Sequence, residues 1–166
     1  MKRKIFLILI ISIFSLTVCG QKDWQKQIEK IRPLKTTEAE VEKILGKPEE
    51  RYGDWRDYKT NGGIITVVYS EGRCKSQRTP KYNIDEGVVV RVDFKPRKKI
   101  KFASLEIDVT GLEKKITEPN DVEVTIITYY DAAKGTYYSV IRDLLNSVKV
   151  YPLDEMDYLQ CPKSSD

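Results

Sequence analysis

An α+β fold is predicted: an antiparallel sheet of about six strands, built from two helix-hairpin-strand units with short helices on one face. Three observations predict it. A short helix has both of its ends written in the sequence at Thr37 to Pro48, and β-rich runs alternate with turn residues on either side of a basic stretch. The two halves also end alike, in Arg91-Val92-Asp93-Phe94-Lys95-Pro96 and Ser147-Val148-Lys149-Val150-Tyr151-Pro152. Aligned on the prolines, Val92 matches Val148 and Phe94 matches Val150, which sets a pseudo-repeat at 33–96 and 102–152. The chain of 166 residues is 40% apolar and 33% charged, enough for one core and too apolar for disorder. A domain of this size buries roughly 68–70% of the surface its unfolded chain exposes.

Residues 1–20 read as a signal peptide and 21–166 as one exported domain. Lys2, Arg3 and Lys4 precede the apolar run Ile5 to Val18. That run falls short of the ~20 residues a spanning helix needs, so it fits a leader better than an anchor. Val18 and Gly20 suit cleavage before Gln21. A second reading takes Leu16-Thr17-Val18-Cys19 as a lipobox, with Cys19 acylated and the protein tethered to a membrane; a retained anchor is the third. No other segment has the length and apolarity of a span, so the mature chain is expected to lack a transmembrane helix.

Trp24, Ile28 and Ile31 fit helical spacing up to Arg32-Pro33. Thr37 with Glu40 forms a capping box, and Val41, Ile44 and Leu45 make a one-sided stripe. Gly46 suits the left-handed position after the helix, and Pro48 prevents continuation. Trp55 to Lys59 leads into Asn61-Gly62-Gly63, read as a hairpin turn whose glycines supply positive φ. Ile64 to Ser70 is a β-branched strand, and residues 71–86 are a long polar loop. Val88, Val90, Val92 and Phe94 alternate with Val89, Arg91 and Asp93, a half-buried strand with one wet face. Leu105 to Ile116 is expected to hold a second short helix. Val122 to Tyr130 reads as a long strand with a bulge at Ile126-Ile127, followed by a turn at 132–135 and strands over Thr136 to Arg142 and Leu144 to Tyr151.

Cys74 and Cys161 are the cysteines left once Cys19 is cleaved away or acylated. An even pair in an oxidising compartment reads as a structural disulfide, with a redox pair or two free thiols as the alternatives. Removing Lys2, Arg3 and Lys4 with the leader brings the 29 basic residues to within one of the 25 acidic ones. That near-neutral balance argues against a nucleic-acid partner. Lys95 to Lys101 carries five charges in seven residues and reads as a solvated linker, or as a contact for an anionic lipid, wall polymer or acidic partner.

The chain has no His, which removes Ser-His-Asp triads, Cys-His pairs and HExxH zinc sites. Carboxylates at Asp54 and Asp57, or at Asp154, Glu155 and Asp157, are the remaining hydrolase candidates, and short acidic clusters are usually solvated surface. No metal site, cofactor or enzymatic activity is expected. The aromatic distribution points elsewhere. Tyr129, Tyr130, Tyr137 and Tyr138 lie on the two arms of one hairpin, and alternation sends one Tyr of each arm to either face. Trp55 and Tyr58 extend such a surface from the first half. Tyr combines large contact area with a polar tip, which suits a binding face; ordinary cross-strand packing is the competing role.

The segment Thr36-Thr37-Glu38-Ala39-Glu40-Val41-Glu42-Lys43-Ile44-Leu45-Gly46-Lys47-Pro48 resembles the helix of the SmpA/OmlA (BamE-like) envelope proteins. The resemblance covers about residues 33–95 and implies a helix ending in Leu-Gly-x-Pro, a following antiparallel sheet and a role in envelope assembly. The tandem arrangement is similar to that of the β-lactamase inhibitor proteins, which bind a partner enzyme across a concave sheet. As a whole the chain resembles exported bacterial proteins, a likeness that implies no activity. The expected function is therefore an exported, non-catalytic binding module that turns a Tyr-rich sheet face toward a protein or cell-envelope component, periplasmic or extracellular. A BamE-like lipoprotein, a carboxylate hydrolase and a sheet cleft for a small apolar ligand are the alternatives.

Overall fold

The computed structural model describes residues 23–75, 81–119, 124–153, 156 and 159–161. Two short helices, α1 (Asp23–Glu29) and α2 (Glu38–Leu45), precede a single antiparallel sheet. Its strands are β1 (Glu50–Tyr52), β2 (Trp55–Lys59), β3 (Gly63–Tyr69), β4 (Val89–Pro96), β5 (Glu113–Thr117), β6 (Ile126–Asp131), β7 (Thr136–Ile141) and β8 (Leu144–Val150). Their order across the sheet is β1-β2-β3-β4-β8-β7-β6-β5. Two four-stranded meanders thus meet at β4 and β8, where Val92 pairs with Val150, Asp93 with Lys149 and Phe94 with Val148.

The expected α+β layout of about six strands in two helix-hairpin-strand units is corrected on two counts. The sheet has eight strands, and the molecule is mostly sheet. Both helices also precede the first meander, while Leu105 to Ile116, expected as a helix, splits into a 3-10 turn at Phe102–Leu105 and strand β5. The strands that escaped the sequence reading are β1 and β5, the two edges of the sheet. Both are short and exposed at every position, so no apolar alternation marks them. On β6 the register with β7 runs unbroken from Ile126 to Asp131, and the irregularity expected at Ile126-Ile127 lies between Ser139 and Val140 of β7. Every residue of β6 is half-buried, so two consecutive isoleucines fit without a bulge.

Helix α2 ends as its sequence dictates. The Thr37 side chain accepts from Glu40 N–H at 3.4 Å, and Glu40 Oε2 accepts from Thr37 N–H at 2.8 Å. That bond to the backbone holds the Glu40 carboxyl below its usual range. Gly46, at φ 86°, donates its N–H to the Glu42 carbonyl and stops the helix. The glycines at the β2–β3 turn serve a different purpose from the expected positive φ. A Cβ on Gly63 would run into the Lys95 carbonyl, and one on Gly62 would sit 2.7 Å from Trp24 Cδ1. They are glycines because β4 and α1 pass too close for any side chain.

Both helices pack on one face of the sheet. Trp24 of α1 stacks on Phe94 at 4.0 Å between ring centroids, and Val41 of α2 is fully buried beside Tyr58, Ile65, Val67 and Val92. Glu38 binds Arg51 at 2.9 Å and Arg56 at 2.8 Å, tying α2 to β1 and β2. A smaller cluster of Leu34, Tyr82, Ile84 and Met156 fastens the long loop and the C-terminal segment to the end of the sheet. There Cys74 and Cys161 are joined by a disulfide, with Cα atoms 5.8 Å apart. Asn83 N–H donates to the Leu159 carbonyl and Cys161 N–H to that of Lys81, so the bond reinforces an existing seam.

Candidate partner-binding face

The strand register assigns each side chain to a face. Tyr138 pairs with Val148 and Tyr129 with Tyr138, so both point to the helix side with the core. There Phe102 stacks on Tyr129 at 5.0 Å and lies 6.0 Å from Tyr138. Burial, reinforced by Asp131 and Glu29, pushes the Tyr138 hydroxyl up to about 12. Tyr58 is also on the helix side and fully buried, its hydroxyl 2.9 Å from that of Tyr69. Burial raises both of these hydroxyls as well. Of the six aromatic residues singled out from the sequence, Tyr129, Tyr138 and Tyr58 therefore belong to the helix side.

Tyr130, Tyr137 and Trp55 point the other way. Strand pairing aligns one row across all eight strands of this open face: Glu113, Tyr130, Tyr137, Lys149, Asp93, Thr66, Asp57 and Glu50. Thr128, Ser139 and Ser147 form a second row beside it. Trp55, Val68 and Arg91 form a third on the opposite side. Tyr137 stacks on Tyr130 at 4.3 Å and meets Tyr151 edge-on at 5.4 Å. The Arg91 guanidinium lies 5.9 Å from the Tyr151 ring centroid and also holds Asp93 at 2.9 Å. All three tyrosines are half-buried, with ring surface left to solvent.

The hydrolase candidates are not brought together as a working pair. Asp57 accepts a hydrogen bond from Thr66 Oγ1 at 2.6 Å, and Asp54 sits in the β1–β2 turn, where its carbonyl accepts from Tyr69 N–H. Asp154, Glu155 and Asp157 lie outside the described residues, as do Cys19 and the rest of residues 1–20, the segment expected as a signal peptide. Among the described residues no group of three or more His, Cys, Asp or Glu is placed to hold a metal ion, and no helix is long and apolar enough to cross a membrane. The basic segment is partly strand, since Lys95 belongs to β4. Lys95, Arg97, Lys98, Lys99 and Lys101 are exposed.

Sequence reasoning missed Tyr151, Arg91 and Lys149 as members of the aromatic face. The wet positions Arg91 and Asp93 were legible from the alternation in β4. That β8 lies against β4 was not, and without that neighbour Tyr151 reads as the end of a strand.

Fold and face together define a β-sheet module closed by helices on one side and carrying an aromatic and charged surface on the other. No protein-family model matches the chain, and no curated protein matches it. A solved structure of a DUF4309 family protein, YjgB from Bacillus subtilis, aligns with 76% of this chain and 84% of its own, at a TM-score of 0.47 and 11% sequence identity.

Proposed function

We propose that this protein is an exported, non-catalytic binding module that presents the open face of its sheet to a protein or cell-envelope partner. The observation that carries the reading is the cluster of Tyr130 stacked on Tyr137 and Tyr137 edge-on to Tyr151, all half-exposed, with Tyr130 and Tyr137 on the face that the helices leave bare. Rings held by their neighbours lose little side-chain entropy on binding, and their hydroxyls give orientation, which is why Tyr dominates binding hot spots. The disulfide and the absence of a membrane-crossing helix among the described residues are compatible with export.

The test is retention of the purified protein on an isolated cell-envelope fraction. Tyr137→Ala is expected to weaken retention about tenfold or more while leaving the unfolding midpoint nearly unchanged. Tyr129→Ala, on the helix side, should lower the midpoint and leave retention intact. If Tyr137→Ala only destabilises the fold, the cluster is ordinary cross-strand packing and the reading is wrong. A second reading, favoured by the capped helix α2 leading into an antiparallel meander, is an envelope-assembly lipoprotein of the SmpA/OmlA kind. Intact mass of the native protein separates the two: a chain beginning at Gln21 supports the soluble module, and one beginning at acylated Cys19 supports the lipoprotein.

A further inference from the structure

Helix α1 is seven residues long and covers the sheet where Trp24 meets Phe94. Beyond its outer flank no helix among the described residues lies over β7 and β8. A cleft of about 470 Å3 opens there, between α1 and the helix-side face of these two strands. Its walls are Ile28, Ile31, Val148, Val150, Leu153 and Met156, and its volume falls within the ~300–1,000 Å3 of small-molecule sites. The Tyr138 hydroxyl lines it and has no hydrogen-bond partner among the described residues, and Trp24, also on the lining, has an indole N–H without one. Like any tyrosine hydroxyl, that of Tyr138 is protonated at neutral pH, so it is available as a donor.

The rim is charged. Arg32, Lys35 and Lys134 face Glu29 around the mouth, and all four are exposed. Lys134 is engaged by Asp131 at 3.5 Å, whereas Arg32 and Lys35 form no ion pair among the described residues. An apolar trough with donors on its lining and, at its edge, two cations that form no ion pair among the described residues matches a molecule with an aliphatic tail and a negative head.

We propose that this cleft binds a free, single-chain fatty carboxylate, its tail between α1 and β7–β8 and its head at Arg32 and Lys35. The cleft opens on the opposite side of the sheet from Tyr130 and Tyr137 and shares Tyr151 alone with that cluster, and its argument uses neither Tyr130 nor Tyr137. A cationic head would meet Arg32 and Lys35 as like charges, and a neutral head would leave both without a counter-charge.

The experiment is calorimetric titration of the purified, disulfide-bonded protein with decanoate, dodecanoate and dodecylammonium below their micellar concentrations, and with phosphatidylglycerol vesicles. Dodecanoate is expected to bind at one site, about fourfold tighter for each methylene added to the chain, and about tenfold or more tighter than dodecylammonium. Replacing Arg32→Glu and Lys35→Glu together, both on the surface, should reverse the order of acid and amine. Leu153→Trp, which fills the trough from a half-exposed position, should abolish dodecanoate binding. A Leu153→Trp chain that fails to fold leaves the decision to the charge-reversal pair. The proposal is overturned if dodecanoate does not bind, if affinity ignores chain length, if acid and amine bind alike, or if only vesicles bind.

Discussion

The meander from β1 to β4 and the meander from β5 to β8 have equal numbers of strands and share the seam at β4 and β8, yet they are closed differently. Over the first lie two helices. Trp24 stacks on Phe94, Val41 is fully buried, and Glu38 clasps two arginines of β1 and β2. Over the second lies a 3-10 turn whose Phe102 caps Tyr129 and Tyr138. Strand β6 is half-buried throughout, and Ile116 of β5 is 57% exposed. The difference teaches that inward-facing residues do not by themselves make a core. A sheet face is buried only where a second layer lies on it, and the apolar cleft opens where that layer runs out.

The largest effect that would test this contrast is loss of the helix anchor. Trp24→Ala removes a side chain 2% exposed and stacked on the centre of the sheet. Urea denaturation is expected to show a loss of about 3–5 kcal/mol, the range for deleting a buried aromatic. Phe102→Ala, the corresponding cap over the second meander, should cost about 1 kcal/mol, near the worth of its ring contacts. Equal losses would break the comparison, because they would mean that both meanders are closed to the same degree.

The disulfide comes next. Cys74 and Cys161 are 87 residues apart, so their bond encloses β4 and the whole second meander, leaves β1 to β3 outside the loop, and restricts that long stretch of the unfolded chain. Cys161→Ser is expected to reduce stability by about 2–4 kcal/mol in the same denaturation experiment. The loss should leave the contrast between Trp24→Ala and Phe102→Ala unaltered, since the bond ties the loop and tail rather than either helix-side layer. A Cys161→Ser background in which the two differ no longer would show that the tail, not α1, closes the first meander.

Much of this contrast was legible in the sequence, and the illegible part has a physical cause. The capped helix from Thr37 to Gly46 was readable because its end signals are local hydrogen bonds between near neighbours. The faces of β4 were readable from alternation over Arg91 to Phe94 but not at Val89. That residue, expected on the wet face, is fully buried because the register with β3 shifts between Val68 and Tyr69. The pairing of Cys74 and Cys161 was readable from the even number left beside Cys19. What could not be read depends on partners distant in the chain. Edge strands β1 and β5 have no buried face to pattern them, and the exposed member of each Tyr pair depends on strand register. Gly62 and Gly63 look like turn glycines until α1 and β4 are seen to crowd them. The pairing of β4 with β8, which assembles the Tyr151–Arg91 contact, left no mark in either segment alone.

The smallest expected effect concerns alkaline pH, and it sharpens the comparison hydroxyl by hydroxyl. Tyr69 under the first meander and Tyr138 under the second both ionise later in the folded protein than in the unfolded chain, chiefly because of burial. A raised folded pKa means that the contribution is fully present below the unfolded value near 10 and is lost as pH climbs through the folded one. For Tyr138 that window runs from about 10 to about 12. For Tyr69 it begins at the same point and extends higher, because burial and the Tyr58 hydroxyl act in the same direction. Denaturation midpoints followed from pH 8 upward should therefore fall above pH 10. Tyr138→Phe should flatten the part of that decline that ends near pH 12, and Tyr69→Phe the part that continues beyond it. An unchanged slope in Tyr138→Phe would mean that its hydroxyl is already solvated in the folded state, and that the donor inside the cleft is wetter than the surrounding apolar walls imply.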